Sequence, residues 1–163
     1  MYKVIDMITE IQQGKKSRLE LHEMIETIEK ADPAKRVELV REYANAYSSF
    51  VDFVRCLFDN RINFLLPAGR PPYTPAEEDK VPSTWHKQNT KLQYFVKGLK
   101  GEHVHPLKRE TMFIGILESV HPADAEILCD MIAKKAPAGL TVETVKEALP
   151  QLISWFLNYI TRH

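Results

Sequence analysis

Apolar residues recur at the three- and four-residue spacing of one helix face along most of this chain, and no run alternates apolar with polar residues as a strand would. The sequence therefore predicts an all-α protein. Val4, Met7, Ile8 and Ile11 form a first short stripe that Gly14 can end, because glycine accepts the left-handed backbone at a helix C-terminus. Ser17 and Glu20 have capping-box spacing ahead of a second stripe, Leu21, Met24, Ile25 and Ile28. Asp32-Pro33 sets a good N-cap before a proline in the first helical position. Val40, Tyr43, Tyr47, Phe50, Val51, Val54 and Leu57 then predict one long helix to Phe58, roughly 39 Å at 1.5 Å per residue.

Prolines mark where the periodicity stops. Five of the ten, Pro67, Pro71, Pro72, Pro75 and Pro82, fall with Gly69 in one segment, which removes amide donors and predicts an irregular loop. Beyond it, Leu92, Phe95, Val96 and Leu99 suggest a short helix ending near Gly101. His105-Pro106 opens a helix carrying Phe113, Ile116, Leu117 and Val120, and His121-Pro122 opens another with Ala125, Leu128 and Ile132 inward. Thr141 caps a helix with Val142, Val145 and Leu149; Pro150 must kink or restart it, and Leu152, Ile153, Phe156, Leu157 and Ile160 continue the stripe. The expected layout is an N-terminal three-helix bundle over 1–66, a Pro-rich connection over 67–83 and a C-terminal bundle of four to five helices over 84–163, or one compact domain overall.

Charge narrows the function. Twenty-two Lys and Arg balance 22 Asp and Glu, so no chain-wide basic field exists to grip nucleic acid or anionic membrane. No apolar stretch approaches the ~20 residues a bilayer needs, and the N-terminus lacks the apolar core of a signal peptide. Cys56 and Cys129 lie within hydrophobic runs, which predicts buried thiols in a reducing compartment. The expectation is a soluble intracellular protein.

The clearest local asymmetry runs from Lys80 to Arg109, where seven cations face one acid, Glu102, for a formal charge of +6. Lys87, Lys91, Lys97 and Lys100 with Trp85 and Tyr94 offer phosphate neutralisation beside stacking rings, the combination of sequence-tolerant single-strand binders; the competing reading is a solvated face beside a buried Phe95. Tyr73 and Trp85, near the proline segment, are candidate anchors for a protein partner. His86, His103, His105 and His121, with Glu126 and Cys129, have ligand chemistry but not ligand spacing, so no metal is expected and His105 and His121 read as helix entrances. Glu110 and Glu118, roughly 12 Å apart along one helix, do not form a catalytic pair. The Gly139–Pro150 stretch is no recognition helix, because Glu143 and Glu147 would repel phosphate. No phosphate loop, nucleophile elbow or zinc-protease motif is present, so neither an enzyme nor a cofactor is expected.

The block HPLKRETMFIGILESVHPADAEILCDMIAKK, followed by GLTVETVKEALPQL, resembles a family of small proteins from T-even-like tailed bacteriophages, including cyanophages. The shared pattern is Lys108-Arg109-Glu110, an apolar helix, the step His121, Pro122, Asp124 and Ala125, and the helix start Gly139-Leu140-Thr141. It covers roughly the last 60 to 80 residues closely and the rest by layout. The resemblance implies a phage protein made in the host bacterial cytoplasm, and it carries no catalytic residue. The leading expectation is a non-enzymatic protein that contacts a host or phage protein; the alternative is a nucleic-acid-associated accessory protein using Lys80–Arg109.

Overall fold

The structure, a computed structural model, describes residues 18–67 and 69–152. The stripe from Val4 to Ile11, Gly14, Ser17, and the continuation from Ile153 to Ile160 lie outside the described residues. The α-helices are α1 Leu21–Lys30, α2 Pro33–Ala46, α3 Ser48–Phe58, α4 Trp85–Gln88, α5 Pro106–Ser119, α6 Pro122–Ile132 and α7 Val142–Ala148, with 3₁₀ turns at Asn89–Tyr94 and Lys100–His103. Among the described residues there is no strand, only one antiparallel bridge between Phe64 and Val96. The chain is all-α, and Pro67 and 69–82 are irregular as the prolines dictate.

The proline-marked starts form through their caps. Asp32 accepts from the Lys35 amide at 2.9 Å, and Thr141 Oγ1 accepts from the Thr144 amide at 3.2 Å. The two His-Pro starts use imidazole instead: His105 Nδ1 accepts from the Leu107 amide at 3.2 Å and His121 Nδ1 from the Ala123 amide at 3.0 Å. Pro150 restarts the helix, since Leu149 leaves helical geometry at φ −130° and ψ 63°.

Four expectations fail on particular residues. The cap of α1 is Glu20, whose amide donates to Glu23 Oε1 at 3.1 Å, so Glu20 opens the helix instead of being its third residue as the capping-box spacing expects. The long helix from Pro33 breaks at Tyr47, which is extended (φ −132°, ψ 112°) and so redirects the chain into α3. Tertiary contacts account for that break: the Tyr47 hydroxyl accepts from the Leu19 amide at 3.1 Å, its ring lies 4.9 Å from His86, and Tyr43 meets Phe50 edge-on at 5.8 Å. Residues 92–101 are not one helix either, because Phe95 and Val96 turn inward and pair with the Phe64 segment. Val142, expected on the α7 stripe, is 51% exposed.

One hydrophobic cluster joins residues before and after the proline segment, from Leu21, Met24, Val40, Phe50 and Phe53 to Phe113, Leu117, Leu128 and Val145. α6 packs on α1, α3 and α5, while α7 lies along α2. The irregular segment is strapped to the outside of this core. Arg70 forks onto Glu126, the Tyr73 hydroxyl donates to Glu126 at 3.3 Å, and the Thr74 amide donates to Glu118 at 3.2 Å. Lys134 follows α6 in the left-handed region (φ 60°), a position that favours glycine. Its ammonium donates to the Cys56 and Asp59 carbonyls at the end of α3, which ties the two helices together and explains a side chain there.

Candidate functional site

The segment from Trp85 to Lys108 is built around inward residues that fix which side chains face outward. Trp85 is 2% exposed and its Nε1 donates to the Ser49 carbonyl at 2.9 Å. It is a core residue, so it is available neither for base stacking nor as an exposed partner anchor, and both expectations for Trp85 are corrected. Asn89 donates to Asp52 at 2.6 Å, and Phe95 meets Phe113 edge-on at 5.7 Å. The Leu65 amide donates to the Phe95 carbonyl at 2.7 Å and the Lys97 amide to the Asn63 carbonyl at 2.8 Å, so the chain at Phe95–Lys97 is held flat against the Phe64 segment.

Beyond that bridge the chain doubles back. Gly98 has φ +87°, and its amide donates to Glu102 at 3.1 Å. Gly101 is buried where a Cβ would sit on the Tyr94 carbonyl, and Arg109 Nη1 donates to the Gly101 carbonyl at 2.7 Å. Arg109 is 7% exposed and belongs to this internal brace rather than to the cationic surface. Lys87, Lys91, Lys97, Lys100 and Lys108 are exposed, and their side chains have no hydrogen bond or ion pair among the described residues. Within the same stretch of chain Leu99 is 53% exposed and Leu107, in the first turn of α5, 68% exposed, two of the three large hydrophobic residues so exposed among the described residues. The outcome is an exposed cationic stretch that carries two bare leucines. Sequence reasoning found the lysines and missed the leucines, because Leu99 reads as the inner face of a helix that does not form. Tyr94 is half-buried beside this face; Tyr73 lies elsewhere, half-buried on the strap with its hydroxyl engaged by Glu126.

Two histidine arrangements look reactive in outline. His86 Nε2 faces the Leu19 carbonyl at 2.7 Å, which only accepts, so Nε2 donates and Nδ1 accepts from Ser49 Oγ at 2.6 Å. Ser49 is 2% exposed, and the pair is an internal brace. The second cluster joins α1 to α6. Asp124 is fully buried, and its Oδ1 accepts from both the His22 amide and His22 Nδ1, each at 2.7 Å. His22 stacks on His121 with centroids 4.1 Å apart. Asp124 thus sits at the amino ends of two helices, where backbone donors and both dipoles favour a negative group. Glu20 lies against it: Glu20 Oε2 and Asp124 Oδ2 are both buried with no hydrogen-bond partner among the described residues, an arrangement that a proton shared between the two carboxyls would satisfy. Burial first, then the Asp124 charge, raises Glu20 from 4.5 to about 7.

Among the described residues no group of three or more His, Cys, Asp and Glu side chains could hold a metal ion; His105 and His121 cap different helices. Both cysteines are free. Burial pushes the Cys56 thiol up to about 12, while Cys129 is only half-buried, less enclosed than its hydrophobic run suggests. No helix of the described residues is long and apolar enough to cross a membrane.

These features define an all-helical protein with an exposed cationic stretch, bearing two bare leucines and braced from within by Trp85, Phe95 and Arg109. The chain belongs to the DUF6433 family, a family of unknown function, whose model matches residues 24–137. That match spans α1 from Met24 through α6 and includes the whole cationic face. No curated protein and no solved structure matches the chain.

Proposed function

We propose that this is a non-enzymatic interaction protein of a tailed bacteriophage, acting in the host cytoplasm and binding an acidic, aliphatic segment of a host or phage protein through the Lys97–Lys108 face. The observation that supports this reading is the exposure of Leu99 and Leu107 among lysines that have no partner among the described residues. Bare leucines gain from covering by an apolar surface, and unpaired lysines steer acidic partners toward it. The phage origin rests on the resemblance of the Lys108–Glu110 and His121–Ala125 blocks to T-even-like phage proteins.

A second reading keeps the nucleic-acid role for Lys87, Lys91, Lys97 and Lys100, which are all exposed and unpaired. It is weakened by the burial of Trp85, which removes one of its two stacking rings. Affinity capture of the tagged protein from infected cells, with and without nuclease, tests the choice. A protein partner retained after nuclease supports the first reading. Loss on nuclease treatment, with single-stranded DNA binding whose log–log salt slope is about −3 for four lysine contacts, supports the second.

A further inference from the structure

A cavity of about 640 Å³ opens between α2, α3 and the turn after α7. Helical spacing points two pairs of side chains into it: Arg41 and Asn45 lie one turn apart on α2, and Val51 and Arg55 one turn apart on α3. Arg61 also lines it, but a two-pronged bond to Asp59, at 2.9 and 2.7 Å, already neutralises that guanidinium. Arg41 and Arg55 are bonded to no acid among the described residues. Arg41 makes only a 3.4 Å bond to the Glu147 carbonyl, and the Arg55 side chain has no hydrogen bond or ion pair among the described residues. No Asp or Glu is among the described residues that line the cavity. Val51, Leu149 and Leu152 give it an apolar wall, beside which Gln151 adds a polar side chain.

We propose that this cavity binds a phosphorylated small molecule of nucleoside-diphosphate type, with the phosphates on Arg41 and Arg55 and the uncharged body against Val51, Leu149 and Leu152. Guanidinium forks match phosphate oxygens two at a time, and two such forks without carboxylate partners leave a positive site that an anion would neutralise. The volume lies within the range of ordinary small-molecule sites, roughly 300–1,000 Å³, and exceeds what a lone phosphate fills. Asn45 offers amide donors and acceptors at the rim for hydroxyl or ring nitrogen groups. The site is separate from the lysine face, so it stands or falls independently of the proposed partner binding.

Calorimetric titration of the full chain with ADP, pyrophosphate and adenosine at physiological salt tests the assignment. The expected order is ADP tighter than pyrophosphate, with adenosine weakest. Arg55→Ala and Arg41→Ala should each weaken ADP at least tenfold, Arg55→Lys should recover part of that loss, and Lys97→Ala should change nothing. Both arginines are exposed, so circular dichroism melting of the variants should match the parent. The absence of saturable ADP and pyrophosphate binding up to about millimolar ligand, or binding that survives both arginine substitutions, overturns the proposal. Pyrophosphate binding with no gain for ADP overturns the nucleoside assignment.

Discussion

Glu20→Gln should change how stability responds to pH, and the sign follows from the α1–α6 contact. In the folded chain the Glu20 carboxyl sits about 7 against 4.5, raised by burial and by Asp124. A raised folded value means that the contribution of Glu20 is fully present below 4.5 and is lost as pH rises through about 7. Above neutrality two carboxylates face each other, with His22 donating to Asp124 and the Glu23 amide to Glu20 but no donor between them. Linkage over that interval amounts to at most about 3 kcal/mol, and because Glu20 is only half-buried, solvent screening reduces it to about 1–2 kcal/mol. Glutamine keeps the shape and a donor toward Asp124 but cannot ionise. Urea denaturation from pH 4.5 to 8 should therefore show the parent losing stability with rising pH and Glu20→Gln holding it. The variant should match the parent near pH 4.5 and exceed it at pH 8 by about 1–2 kcal/mol, a melting difference of about 3–6 °C. Parallel pH profiles for the two proteins would refute the shared-proton account.

Leu117 is fully buried on α5, so Leu117→Ala should cost about 2–5 kcal/mol in urea denaturation, and an unchanged midpoint would show that α5 turns another face to the core. Lys134→Gly and Lys134→Ala both lose the bond to α3, but only alanine retains the left-handed strain, so glycine should be the more stable by about 1 kcal/mol in thermal melts. With a thiol-reactive disulfide probe on native protein, half-buried Cys129 should react first and Cys56 only on unfolding; equal rates would contradict the burial that raises Cys56.

Local chemistry made much of the fold legible. Asp32-Pro33, His105-Pro106, His121-Pro122 and Thr141 mark helix starts because capping and a fixed proline φ act within a few residues. Tyr47 was not legible, since Asn45-Ala46-Tyr47-Ser48-Ser49 contains no proline or glycine and the break is held by contacts to Leu19 and His86. Phe95 and Val96 carry helical spacing yet pair with Phe64, a contact about thirty residues away in sequence. At the candidate face, exposed lysines could be read from charge, whereas the exposure of Leu99 and Leu107 depends on the fold-back of Gly98–Gly101. The His22–Asp124 bond spans 102 residues, and nothing near either residue announces it. Asp124 shows in sequence only as part of the His121-Pro122 step, and its burial gives that step a physical purpose at the amino ends of two helices.

The measurement that bears most directly on the proposed function is partner capture by the double variant Leu99→Asp, Leu107→Asp. Both positions are exposed, so its circular dichroism melt should match the parent. The account predicts that a nuclease-resistant protein partner held by the parent is lost by this variant and weakened by Lys97→Glu with Lys100→Glu. Full retention of the partner by the leucine variant, or release of everything captured on nuclease treatment, would contradict it.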